Sequence, residues 1–199
     1  MDSDLAESVS ALKSVFEKRY IPANFGKSED ATVNRLKTRL GLPDRYASFL
    51  KEADPLDVET ATPSERIRFV PAAELEKEQN GYGRGDDETP PMAGWREGWI
   101  VIAHSSLLGD PYFLDTTKGD AEGDCPVMTA MTGANLNPVV CASTFACFMR
   151  ILATAMEVAE DFSDQCDHDE EHIFREALVS KIRVVDKVAV REGHWTRGF

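Results

Sequence analysis

The pentapeptide His168-Asp169-Glu170-Glu171-His172 is the sharpest chemical pattern in the chain. It reads H-x-x-E-H. On a helix this spacing puts both imidazoles on one face, able to hold zinc, with Glu171 as a general base for hydrolysis. A catalytic zinc needs a third protein ligand, and the only nearby candidate is a generic carboxylate, Glu176. Metal-binding helices of that kind pack in apolar cores, whereas residues 160–170 are strongly acidic. The simpler reading is a solvated acidic helix start. A zinc-dependent hydrolase using His168 and His172 is the weakest alternative carried forward, and the expectation is no metal and no cofactor.

Two other groupings invite chemistry. Gly81-Tyr82-Gly83-Arg84-Gly85 is a fragment of a phosphate-cradling loop, but it lacks the strand before and the helix after that such loops require, and Asp86-Asp87-Glu88 would repel phosphate. His104, Ser105, Asp110 and Asp115 supply the residue types of a hydrolytic triad without a nucleophile-elbow sequence. Asp110 reads as a turn residue and Asp115 as a strand-end carboxylate accepting backbone N–H groups. No residue is assigned a catalytic role, and the chain is expected not to be an enzyme.

The elements that would position these residues centre on residues 98–115. Trp99-Ile100-Val101-Ile102-Ala103 is short, apolar and β-branched, as suits a strand covered on both faces. Leu108-Gly109-Asp110-Pro111 supplies turn chemistry, and Tyr112-Phe113-Leu114 resumes a strand. Together they predict a hairpin at the centre of a sheet, a scaffold for binding. Upstream, Leu5, Val9, Leu12 and Phe16 form one helical stripe, and Val33, Leu36 and Leu40 form another that stops at Gly41. Ser28 is the expected N-cap of that second helix. A third helix starts near Pro43, with Tyr46, Phe49 and Leu50 inward. Residues 55–66 read as a loop, 67–71 as a short strand and 72–79 as a small charged helix. Residues 80–98 read as an exposed, mobile loop. Then follow a strand at 126–131, a turn at 135–138, and Val139-Val140-Cys141-Ala142 leading into a helix capped by Ser143 or Thr144, with Phe145, Phe148, Met149 and Leu152 on its apolar face. A last helix runs from about 163 to 181, and residues 182–190 are either a strand or its continuation.

The net charge is −13, from 35 acidic and 22 basic residues. Nucleic-acid binding depends on Lys and Arg neutralising phosphates, so this balance argues against it. It suits a basic protein partner, because opposite charges speed encounter. No apolar run approaches the roughly 20 residues that cross a membrane, and residues 1–5 lack a signal-peptide pattern. A cytoplasmic location is expected. Of the four cysteines, Cys125, Cys141, Cys147 and Cys166, none forms a CxxC pair, and Cys141 and Cys147 read as buried thiols.

The order of elements resembles the SMI1/KNR4 family, of the SUKH superfamily. Leu42-Pro43-Asp44-Arg45-Tyr46-Ala47-Ser48-Phe49-Leu50 is similar to the family's LP-x-x-Y-x-x-F-L helix. Trp99 to Ala103 with Gly109-Asp110-Pro111-Tyr112-Phe113-Leu114-Asp115 is similar to its W-h-x-I-A…GD-x-h-x-h-D strand pair. Cys125-Pro126-Val127 and then residues 142–149 are similar to its closing PV strand and S-F-x-x-F-h helix. The chain departs from the pattern at Ala53-Asp54, where Asn-Gly is frequent, in its long loop 79–98, and after residue 155. The resemblance implies an α+β fold, with helices packed against a single mixed or antiparallel sheet. It also divides the chain into an N-terminal helix and linker (1–28), a core domain (29–155) and an acidic helical extension (156–199).

The family resemblance implies a non-enzymatic bacterial immunity protein that binds and neutralises a cognate toxin, of nuclease or deaminase type and basic in charge. The alternative is a regulatory scaffold like the family's fungal members. Pro43, Tyr46, Phe49, Trp99, Gly109, Asp110, Asp115 and Phe145 would then be structural. Partner contacts are expected in the long loop, at Tyr82, Asp86, Asp87, Glu88, Trp95 and Arg96, since aromatic and Arg side chains commonly anchor interfaces.

Overall fold

The computed structural model describes residues 1–83, 90–131, 136–162 and 168–196, the side chains of 168, 169 and 192 excepted. Its fold is α+β, with helices packed on a six-stranded antiparallel sheet. The helices are α1 (Ser3–Lys18), α2 (Asp30–Leu40), α3 (Asp44–Ala53), α4 (Ala72–Leu75), α5 (Phe145–Val158), α6 (His168–Val185) and α7 (Lys187–Glu192). The strands are β1 (Asn24–Gly26), β2 (Asp54–Asp57), β3 (Glu59–Ala61), β4 (Arg66–Phe69), β5 (Trp99–Ser105), β6 (Pro111–Asp115), β7 (Val127–Thr129) and β8 (Val139–Ala142). The large sheet runs in simple sequence order from β3 to β8, so β5 and β6 lie at its centre, where the apolar hairpin predicts them. β1 and β2 form a separate two-stranded ribbon.

β5 pairs with β6 from Trp99 opposite Asp115 to His104 opposite Pro111, with an irregularity between Val101 and Ala103. The two faces of this hairpin enter different cores. Ile100, Ile102, Tyr112 and Leu114 join the large core built with α1, α3 and α5, whereas Trp99, Val101, Phe113 and Met128 form a small second cluster on the other face. α5 is buried almost all round because it lies between the sheet and two further helices, α1 and α6. Tyr46, Phe49 and Phe145 meet with ring centroids 5.0–5.8 Å apart, which locks α3 to the start of α5.

Several local expectations change. Ser28 does not cap α2: Glu29 holds the N-cap position without a side-chain bond, and Ser28 Oγ donates to Asp54 Oδ2 at 2.6 Å. Residues 54–61 are two short strands, with Val58 wholly buried between them. Residues 182–185 continue α6, and Asp186 breaks the helix and caps α7 by accepting from Val188 and Ala189 N–H. Pro43 is the N-cap of α3 and Thr144 that of α5. Cys125, Cys141 and Cys147 are free thiols, raised in pKa chiefly by burial. No helix among the described residues is long and apolar enough to cross a membrane.

Candidate partner-binding surface

The outer face of the central hairpin carries half of the residues predicted for partner contact. Trp95 is half-buried. Its ring lies 4.8 Å from Phe113 and 5.4 Å from Trp99, and its indole Nε1–H donates to Trp99 O at 3.3 Å. Tyr82 packs on Trp95 with centroids 4.8 Å apart and the rings inclined at 45°, and lies 6.1 Å from the His104 ring; burial, then Glu78 and Asp110, raises its phenol pKa. The expected mobile loop therefore supplies two rings that roof the second cluster. Gly83 permits this close approach: a Cβ there would meet Trp95 Cδ1 at 2.9 Å. Arg96 is exposed, with its guanidinium 5.3 Å from the Trp99 ring. A hollow of about 260 Å³ beside it is lined by Arg39, Gln79, Arg96 and Trp99 among others. Asp86, Asp87 and Glu88, with the phosphate-loop fragment's Arg84 and Gly85, lie outside the described residues.

Catalytic readings find little support in the geometry. Ser105 and His104 engage different partners. Ser105 Oγ donates to Glu65 Oε1 at 2.8 Å and accepts from Leu108 N–H, while His104 Nε2 lies 3.1 Å from Glu78 Oε2. Asp115 accepts from Thr117 N–H and Thr117 Oγ1 and pairs with Lys118 at 3.1 Å. Burial raises its carboxyl pKa, but the bonds from Thr117 and Lys118 outweigh that, and the net shift is downward. His172 is exposed and 3.4 Å from Glu176; the His168 side chain is not described, and no metal-binding cluster occurs among the described residues. Gly109 takes φ 75°, as its turn requires, and Asp110 is buried.

The structure adds a set of buried polar groups that composition does not single out. Three aspartates tie loops to elements. Asp54 accepts from Ser28 Oγ and Ala72 N–H. Asp124 accepts from Cys125, Phe145 and Ala146 N–H, so it shares the capping of α5 with Thr144, and it also pairs with Arg45. Asp186 accepts from Ser143 N–H at 2.6 Å besides capping α7. Arg45 is a hub, gathering Asp2, Asp4, Glu122 and Asp124 within 3.7 Å. Gln79 acts as a substitute strand: its amide donates to Val101 O (3.0 Å) and accepts from Val101 N–H (2.9 Å) where β4 has ended.

A fourth network links the sheet to the C-terminal tail. Tyr112 Oη donates to Glu65 Oε2 at 3.1 Å and lies 3.3 Å from His194 Nε2. The single phenolic proton goes to Glu65, so His194 donates to the phenol oxygen. Burial raises the Glu65 pKa against the bonds it receives. Burial, then Arg175, pushes the His194 pKa down to about 3. Next to it, Trp195 Nε1–H donates to Cys141 O at 2.7 Å.

Residues 28–151, more than half of the chain, match the SMI1 / KNR4 family (SUKH-1). The chain belongs to this family. No curated protein and no solved structure matches it. Every position named above as a family mark falls inside the matched span. His168, His172 and the tail that carries His194 and Trp195 fall outside it.

Proposed function

We propose that this SUKH-1 protein is a non-enzymatic immunity protein, which binds a cognate protein toxin and occludes its working surface. Family membership carries the reading, and three features support it. The chain is strongly acidic, as suits a partner whose own surface is basic enough to work on nucleic acid. The chemically suggestive side chains on the central hairpin are occupied in structural bonds. The rings of Tyr82 and Trp95 and the guanidinium of Arg96 lie together on one face. On this reading the protein acts in the cytoplasm, where an intracellular toxin would strike its own producer.

The test is capture from host lysate on tagged protein, elution along a salt gradient, and a survival assay with the captured species. A single stoichiometric toxin domain, released as salt rises and harmless only when the chain is co-expressed, is the expected result. Several housekeeping proteins at low stoichiometry would instead favour a regulatory scaffold.

A further inference from the structure

Helix α1 ends in a way that its own packing does not explain. Tyr20 N–H donates to Glu17 O at 3.2 Å and Ile21 N–H to Phe16 O at 3.0 Å, the paired bonds of a Schellman stop. That stop puts the residue after the C-cap in the left-handed region. α2 and α7 leave their helices through left-handed glycines, Gly41 at φ 73° and Gly193 at φ 95°. α1 uses Tyr20 at φ 54°, the one non-glycine residue with positive φ among those described. A side chain with a Cβ is strained in this conformation, whereas glycine is not. Burial of the ring could offset the strain, but Tyr20 is 94% exposed. Among the described residues it has no ring contact and no side-chain hydrogen bond. The two backbone bonds hold the turn, as they would with glycine, but the tyrosine ring adds nothing to it inside the chain, and an exposed aromatic at a glycine-type position points to a use outside it.

We propose that Tyr20 anchors the contact with a basic protein partner, its ring receiving an arginine or lysine of that partner. The inference rests on the immunity reading and gives that partner a docking place away from the Tyr82–Trp95 face. The cations beside Tyr20 are already engaged: Lys18 Nζ lies 2.9 Å from Glu160 Oε2, Arg19 Nη1 donates to Met156 O at 3.1 Å, and Lys13 Nζ sits 4.8 Å over the Phe25 ring. Glu17, Glu157 and Asp161 are exposed around them. Lys18 has a raised pKa because it faces Glu160 first, with Glu157 and Asp161 adding to the field. A hollow of about 380 Å³ lined by Lys18, Arg19, Tyr20, Glu160 and Phe162 adjoins the ring, its two cations held by Glu160 and by the Met156 carbonyl. A guanidinium seated over an exposed tyrosine, with carboxylates at its rim, is a cation–π contact completed by ion pairs, and tyrosine is among the commonest interface anchors.

Two measurements test this. The first needs no partner: Tyr20→Gly should raise the Tm by about 2–4 °C, because the left-handed strain is relieved. A fall would show that the ring does structural work and would overturn the proposal. The second places p-benzoylphenylalanine at position 20, or at position 184 as an equally open control (Val184 is 88% exposed), and irradiates producing cells. Position 20 should give one adduct, to a lysine- or arginine-rich segment of a basic protein. That protein, purified, should bind Tyr20→Gly at least tenfold more weakly than wild type. Adducts to an acidic protein or to many proteins, or equal affinity for Tyr20→Gly, overturn the proposal. The same toxin captured by the tagged chain without an adduct at 20 overturns the docking place and leaves the immunity reading standing. No adduct together with no stoichiometric partner overturns both.

Discussion

The two faces of the β5–β6 hairpin are covered by different means. On the inner face Ile100, Ile102, Tyr112 and Leu114 meet whole helices, and the nearby Phe148 lies 5.7 Å from Tyr112 and 6.2 Å from Phe69. On the outer face Trp99, Val101 and Phe113 meet single side chains, Tyr82, Trp95 and Leu136, delivered by connecting segments. A helix arrives as a unit, with its backbone bonds satisfied internally and its apolar stripe already assembled. A connecting segment orders several residues to deliver one ring, so less of the stabilisation survives the entropy it costs. The inner face should therefore set the global stability, and the outer face should be free to open locally.

That contrast can be broken at its strongest point first. Phe148→Ala should cost about 3–5 kcal/mol, as expected for truncating a buried aromatic, and denaturant unfolding would read it. Trp95→Ala should cost less, about 1–3 kcal/mol, because its ring is only partly buried. It should also speed hydrogen exchange at Val101 and Phe113 while leaving exchange in α5 unchanged. If exchange in α5 rises equally, the two faces form one cooperative unit.

A third prediction concerns the polar seam at the sheet's margin. The unfolded chain takes a proton on His194 near pH 6.5, whereas the native ring resists until about 3. The unfolded state thus binds protons first, and stability should fall as pH drops from about 6.5 towards 3. His194→Gln keeps a donor for Tyr112 and should flatten that part of the profile. Glu65, with a raised pKa, works in the opposite sense: its contribution is present at low pH and lost as pH rises through its folded value. The smallest effect expected is Lys118→Ala. The Lys118 ammonium stands largely in water and the buried Asp115 carboxylate keeps both bonds from Thr117, so the loss should be about 1 kcal/mol or less and shrink further in salt. Stability held by the depressed Asp115 carboxyl, present above its unfolded pKa, should then be lost at a slightly higher pH as the solution is acidified.

Stripe and turn chemistry made much of this fold legible. Leu5 to Phe16, Val33 to Leu36, Tyr46 to Leu50 and Phe145 to Leu152 declare buried helix faces, and the 99–115 hairpin declares its own central place. The short strands at 24–26 and 54–61 could not be read, because Asn24, Pro55 and Asp57 have low strand propensity and are held by pairing across distant sequence. The half-burial of Trp95 was hidden for the same reason: its neighbours Gly94 and Arg96 suggest solvent, and only the approach of Trp99 and Phe113 covers it. Asp124 and Glu65 carried no local signal. Asp186 carried one, since an Asp followed by Lys-Val-Ala-Val is an N-cap pattern. Tyr20 carries no sequence signal for a left-handed backbone, because glycine is the residue that ordinarily marks such a stop.

The Trp195 indole and the Asp186 carboxylate have a further consequence. β8 is the outermost strand of its sheet, and an outermost strand holds unmet backbone groups that can recruit another chain. Trp195 occupies the Cys141 carbonyl and Asp186 the Ser143 amide, so the polypeptide beyond residue 151 bars that margin against strand addition. At the opposite margin β3 spans three residues only, too short a template for a guest. Both outer margins of the sheet are in this way poor templates for strand addition.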